Sequence, residues 1–323
     1  MEAFLTQEFL PLHQKNPGFD LKGVAEQSSA LVSAGPGAGI ATALQQLNDP
    51  GGVTAHTKSR SRNGGIQRLA RHPQRLLQWI GPDAAPITVA LIDSGIDTEH
   101  HQEFGGHLWM NPKEQQDGID NSGDGRIDDI TGWDFVGNDP LAEDQDGHGT
   151  MMAGLVMDAA PTARLMNLRV LDAAGEGSMV HVSQAIDYAV EHGAQVINLS
   201  LGANGTNSIV AASIDRALGA GVIVVAASGN EGKDRPNFPA RMPGVWAAGS
   251  LDKEGHPTEW SNGSRGKDTQ FVTVLSKHVK SLQLNGGTRF VSGTSAAAAR
   301  LSGLFASLLS LRASLISLCA GLG

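Results

Sequence analysis

The chain has 323 residues, 40% of them hydrophobic and 18% charged, enough to bury a sizeable core in one large or two small domains. Its 24 Lys and Arg against 33 Asp and Glu leave a net charge of −9, which argues against nucleic acid and anionic membrane as general partners. A single cysteine, Cys319, excludes an intramolecular disulfide and argues against a cysteine-based metal site.

Residues 1 to about 70 carry Gly-rich turns and weak apolar periodicity, the composition of a linker-like N-terminal extension. Within them, Gly35-Pro36-Gly37-Ala38-Gly39 has no apolar strand before it and reads as a turn, not a nucleotide loop. The basic residues Lys58, Arg60, Arg62, Arg68, Arg71 and Arg75 read as a solvated face. No basic stretch followed by an apolar one opens the chain, so no secretory signal is visible and the default compartment is the cytoplasm.

From about residue 85 the pattern changes. Residues 87–93 are a near-continuous apolar run that ends in Asp93, and strands are also predicted over 163–171, 194–202 and 222–230. Residues 180–193 and 208–221 have helical spacing, and each stretch ends at a glycine. Strands that are apolar throughout and alternate with helices predict an α/β fold of three layers, a parallel central sheet with helices on both faces. Residues 301–318 are apolar but interrupted by serines and Arg312; they read as a buried helix and not a membrane span. In such sheets sites lie beyond the carboxyl ends of the strands, and Asp93, Ser200 and Asn230 all fall there.

Three segments carry the chemistry: Leu91-Ile92-Asp93-Ser94-Gly95, Asp146-Gly147-His148-Gly149-Thr150 and Ser292-Gly293-Thr294-Ser295-Ala296. A serine hydroxyl is a poor nucleophile at neutral pH. It needs a histidine to take its proton and a carboxylate to hold that histidine's tautomer. Each motif alone is weak; the order Asp, His, Ser on an alternating α/β pattern is specific.

On these motifs the chain resembles the subtilisin-like serine proteases, over about residues 75–310. The resemblance implies Asp93, His148 and Ser295 as a catalytic triad, with Ser295 at a helix N-terminus. It implies an oxyanion hole made by the Asn230 amide and the Ser295 N–H. Residues 171–178, with Gly175 and Gly177, would form one wall of a substrate cleft and Ser200, Leu201 and Gly202 the other, with the peptide added between them as a strand. The small residues Ala226, Ser228 and Gly229 suggest a roomy pocket for apolar side chains. Residues 237–240 resemble a proline-containing turn beside it. Polypeptides would be the substrates, no cofactor is needed for catalysis, and the family implies secretion.

Residues 71–323 would then be the peptidase domain, short at its C-terminus, and residues 1–70 an extension or a degenerate pro-segment. Ala296 and Ala299 stand where the family usually has methionine and proline, and Met151 and Met152 where it often has histidine and valine. A second reading is a catalytically weak or inactive domain that binds peptides or partner proteins. A non-proteolytic esterase fits less well, because the G-x-S-x-G elbow is missing.

Asp117, Asp120, Ser122, Asp124 and Asp128 suggest a structural calcium site, with oxygen ligands at alternate positions and Gly125 at the turn. Thr131 stands where the loop's bidentate glutamate belongs, and an acidic surface loop is the plainer reading. His100, His101 and His107 read as surface histidines.

Overall fold

Strand β1 (Thr88–Asp93) divides the protein into two apolar layers: Val89 and Leu91 face one way, Ala90 and Ile92 the other, and all four are buried. The computed structural model describes residues 85–265 and 270–320. The readings made for residues 1–70 and for the basic residues that follow lie outside these.

The central sheet also contains β2 (Gly132–Asp134), β3 (Arg164–Arg169), β4 (Val196–Leu199), β5 (Ile223–Ala227), β6 (Trp246–Leu251) and β7 (Gln270–Leu275). All pairings are parallel, in the order β2-β3-β1-β4-β5-β6-β7. Helices α1 (His148–Ala159) and α4 (Thr294–Ala320) cover one face; α2 (Met179–Glu191) and α3 (Ser208–Gly219) cover the other. This is the three-layer α/β arrangement predicted. Because the chain builds β2 and β3 on one side of β1 and β4 on the other, a crevice opens at the carboxyl end of β1, where Asp93 sits.

The predicted helices begin at side-chain caps. The Ser178 hydroxyl accepts from the Val180 N–H, and the Asn207 side chain accepts from Ile209 and Val210. Sequence periodicity missed β2, β6, β7, helix α1 and a hairpin formed by β8 (Val279–Leu282) and β9 (Thr288–Val291). Helix α1 packs against α4, β1 and β8, with buried residues around most of its circumference, so it has no polar stripe to announce it.

Helix α4 packs through small residues. Ala296, Ala297, Ala298 and Ala299 are fully buried, and a Cβ on Gly303 would lie 2.7 Å from the Ala159 Cβ. The alanines at 296 and 299 therefore bring the helix close to the sheet. Its stretch Thr294–Ser314 is long and apolar enough by composition to cross a membrane, and 89% of the apolar window is buried inside the protein. Phe305 is fully buried against Trp246, with ring centroids 4.9 Å apart.

Candidate active site

Asp93 ends β1 and is fully buried. His148 is the first residue of α1, 28% exposed at its side chain, and its Nδ1 lies 2.7 Å from Asp93 Oδ1. With Nδ1–H donating to the carboxylate, Nε2 is left as the basic nitrogen. The Asp93 charge, reinforced by the hydrogen bond and by Asp146 and Asp144, outweighs desolvation and raises the His148 pKa from 6.5 to about 9.

The backbone around this pair leaves no room for side chains. A Cβ on Gly149 would come within 2.0 Å of the Gly95 carbonyl oxygen, and one on Gly95 within 2.5 Å of the Ala142 carbonyl oxygen. The N-terminus of α1 has no cap from Gly147 itself. Asp144 supplies it from further back: its carboxylate accepts from the N–H groups of Asp146, Gly147 and Thr150 and from the hydroxyls of Ser94 and Thr150. The Ser94 hydroxyl in turn accepts from the Gly149 N–H at 2.8 Å. Asp144 thus joins the end of β1 to the start of α1, the two segments that hold Asp93 and His148. Sequence reasoning passed over it, although an Asx residue just ahead of a helix start is a recognisable signal.

Ser295 is the second residue of α4. Its hydroxyl donates to the Ser200 carbonyl at 3.0 Å, and the Ser200 hydroxyl donates back to the Ser295 carbonyl at 3.1 Å. Asn198 and Ser302 extend this link into the protein: Asn198 Nδ2 donates to the Ser200 hydroxyl, and Ser302 donates to Asn198 Oδ1. Asn230 follows β5, and its Oδ1 accepts from both the N–H and the hydroxyl of Thr294. Its Nδ2 has no hydrogen-bond partner among the described residues.

Two clefts meet at His148 and at the Ser200–Ser295 link. The first, of 340 Å³, runs between Leu171, Gly175 and Gly177 on one side and Ser200, Leu201 and Gly202 on the other, beside His148. Asp146, Met179 and Val182 also line it, and these were not foreseen. The second, of 350 Å³, brings together His148, Ser295, Asn230 and the β9 strand. A 130 Å³ recess beside Ser295 is lined by Gly229, Glu231 and Asn237.

Two expected pocket residues lie elsewhere. Ala226 is buried in the layer under α2 and α3, and the Ser228 hydroxyl is buried on the Asn262 carbonyl. Strand alternation is the reason: Ala227 and Gly229, one residue out of step, face the recess. His101 is also not a surface residue; it is 2% exposed, with Nε2 2.7 Å from the Gln283 carbonyl oxygen.

The acidic loop closes on itself. Asp120 accepts from the N–H groups of Gly123, Asp124 and Gly125 and from the Ser122 hydroxyl. Asp128 accepts from the N–H groups of Asp117 and Gly118. The groups that converge are Asp124, Asp129 and His192, whose ligand atoms lie within 4.8 Å of one another. Glu114, buried nearby, leaves Oε2 without a hydrogen bond.

The profile of the Subtilase family matches residues 85–317. The chain is 34% identical over 189 residues to the thermostable alkaline protease of Halalkalibacterium halodurans, covering 54% of this chain and 50% of that protein. It is 31% identical over 211 residues to thermitase of Thermoactinomyces vulgaris, covering 62% and 66%. It therefore spans about half to two thirds of the length of these curated relatives. Among solved structures, the prenylagaramide maturation protease PagA matches with a TM-score of 0.59 and 28% identity over 75% of this chain and 81% of that one. A cold adapted subtilisin-like serine proteinase matches with a TM-score of 0.56 and 26% identity, covering 69% and 76%.

Proposed function

The chain belongs to the subtilase family, and from that premise we propose that it is a serine endopeptidase acting through Asp93, His148 and Ser295. Curated relatives are proteases by name, which supports polypeptides as the substrate class. The observation that carries the reading is the 2.7 Å contact of His148 with a fully buried Asp93, in a cleft shared with Ser295 and Asn230.

In this proposal a peptide lies extended in the first cleft. The Ser295 hydroxyl leaves the Ser200 carbonyl and gives its proton to His148 Nε2 as Oγ attacks the scissile carbonyl carbon. Asp93 accepts the Nδ1–H and stabilises the imidazolium. The oxyanion takes hydrogen bonds from Asn230 Nδ2 and the Ser295 N–H, at the N-terminus of α4 where backbone donors are free. His148 then protonates the leaving amine. The acyl-enzyme ester is hydrolysed by water that His148 deprotonates in the same way.

A structural cation at residues 117–129 belongs to the same proposal. Carboxylates without donors suit a hard cation, and in this group Glu114 Oε2 is the buried oxygen left without one, next to the converging Asp124, Asp129 and His192; Asp124 already accepts from Arg126, and Asp129 from Asn111 and Tyr188.

One observation favours a second reading, peptide binding without turnover: the Ser295 hydroxyl donates to Ser200 and not to His148. Labelling the purified chain with a fluorophosphonate and mapping the labelled residue separates the two. Label at Ser295 that is lost in Ser295→Ala supports the peptidase. A folded sample that takes no label and cleaves no denatured protein supports the binding domain.

A further inference from the structure

The β8–β9 hairpin is cationic in an acidic protein. Beyond Asp268 the sequence contains no Asp or Glu, whereas Lys277, Lys280 and Arg289 all lie on or beside this hairpin, in a chain of net charge −9. Arg289 stands opposite Ser281 in the antiparallel register, and the Ser281 hydroxyl donates to the Met151 carbonyl of α1 at 2.6 Å. Opposed residues share a face of the ribbon, so Arg289 is turned toward α1. There it lines the second cleft with His148, Met151, Asn230 and Ser295. No Asp or Glu lines that cleft, and the Arg289 guanidinium has no ion-pair partner among the described residues. The first cleft, by contrast, has Asp146 in its wall.

His148 borders both clefts. A peptide whose acyl side occupies the first must send its leaving segment past Ser295 into the second. We propose that Arg289 selects substrates with a carboxylate in that leaving segment, one or two residues beyond the cleaved bond. The carboxylate is either an Asp or Glu side chain or the free C-terminus of the peptide. Phe290, 55% exposed beside it and stacked on His278 with centroids 4.1 Å apart, gives the same rim an apolar surface for the neighbouring side chain. This inference rests on the peptidase reading above and names the substrate class of that site.

The test uses internally quenched peptides that differ only by Asp or Asn at the second residue after the cleaved bond, each with a free or an amidated C-terminus. The ratio of kcat/KM within one preparation is independent of its active fraction. The acidic peptide should be preferred about two- to fivefold, the size of a partly exposed ion pair, and the preference should shrink with added salt. It should vanish in Arg289→Gln and invert in Arg289→Glu. Sensitivity to the side chain alone, or to the end group alone, identifies which carboxylate is read. Equal rates for all the peptides, or a preference unmoved by Arg289→Gln, would overturn the proposal. Binding of the same peptides to Ser295→Ala, followed by fluorescence anisotropy, keeps the test independent of turnover. If the unmodified enzyme is inert but acidic peptides still bind tighter through Arg289, the peptidase reading fails and the charge selection stands. If they bind no tighter, the charge selection fails as well.

Discussion

Asn230 and Thr294 are joined twice, the amide oxygen accepting from the Thr294 N–H and from its hydroxyl, each at 3.0 Å. The bond fixes which way the amide faces: with Oδ1 committed to Thr294, Nδ2 is the end left for the cleft. It also ties the segment after β5 to the start of α4, which fixes Asn230 relative to Ser295.

Asn230→Ala is therefore expected to lower kcat by about 10²–10³ with little change in KM, the magnitude being that of the equivalent loss in subtilisin. Thr294→Val keeps the N–H contact and loses the hydroxyl, so its drop in kcat should be smaller. Steady-state kinetics on both variants checks this. A rise in KM without a fall in kcat would mean that Asn230 acts on binding and not on the transition state.

The pH profile follows from the Asp93–His148 pair. In the proposed mechanism His148 must be neutral to act, so kcat/KM should fall as pH drops, with a midpoint displaced above 6.5 toward about 9. Asp93→Asn removes the charge that raises this pKa; its midpoint should return toward 6.5 and its rate fall by about 10⁴. Stability carries the opposite sign. A pKa raised in the folded state contributes stability that is fully present below 6.5 and is lost as pH climbs through about 9. The Tm advantage over His148→Gln should shrink across that window. A midpoint at or below 6.5 in the unmodified protein would contradict the assignment.

Asp144 is expected to position the site without touching substrate. Asparagine in its place keeps one acceptor oxygen where the carboxylate uses two for five donors. Asp144→Asn should lower unfolding free energy by about 1–3 kcal/mol and reduce kcat, because the start of α1 loses its hold on the end of β1. Urea unfolding and kcat are measured together. Lost stability with full kcat would make Asp144 a helix cap and nothing more.

Calcium should raise Tm relative to excess chelator, since an ion bound only by the folded state adds about 2.7 kcal/mol at a hundred times its Kd. Asp129→Asn and His192→Gln should reduce the shift if the converging group at the base of the loop holds the ion. Asp120→Asn should reduce it if the alternate residues of the loop do. No shift in the unmodified protein would remove the cation from the account.

The local chemistry was legible because it is written in short, rigid phrases. Asp93 closes a strand whose residues 89–92 are all apolar, and His148 sits between Gly147, in the left-handed region at φ 99°, and Gly149, which the Gly95 backbone approaches too closely for a side chain. Ser295 is followed by alanines that let a helix lie flat on a sheet. Helix α1 was not legible. It buries residues on nearly all sides, and periodicity reports only helices with one wet face. Ala226 and Ser228 were misplaced by a single step, because strand alternation gives the pocket to Ala227 and Gly229 and the sequence does not mark which parity faces it. The acidic loop was read by its spacing, but spacing cannot say whether a carboxylate turns to a cation or to its own backbone, and Asp120 and Asp128 turn to the backbone.

By itself the sequence determined the α/β class, the strand ends that carry polar residues, and the identity of the three residues that could act together. Those follow from composition, periodicity and residue chemistry, which are local. Only the tertiary structure decided that β1 is the strand from which the all-parallel sheet is built out on both sides, that Asp144 clamps it to α1, and that Arg289 from a distant hairpin reaches the cleft. Such contacts join residues far apart in the chain. They arise from the packing of layers and the register of strands, which no window of neighbouring residues contains.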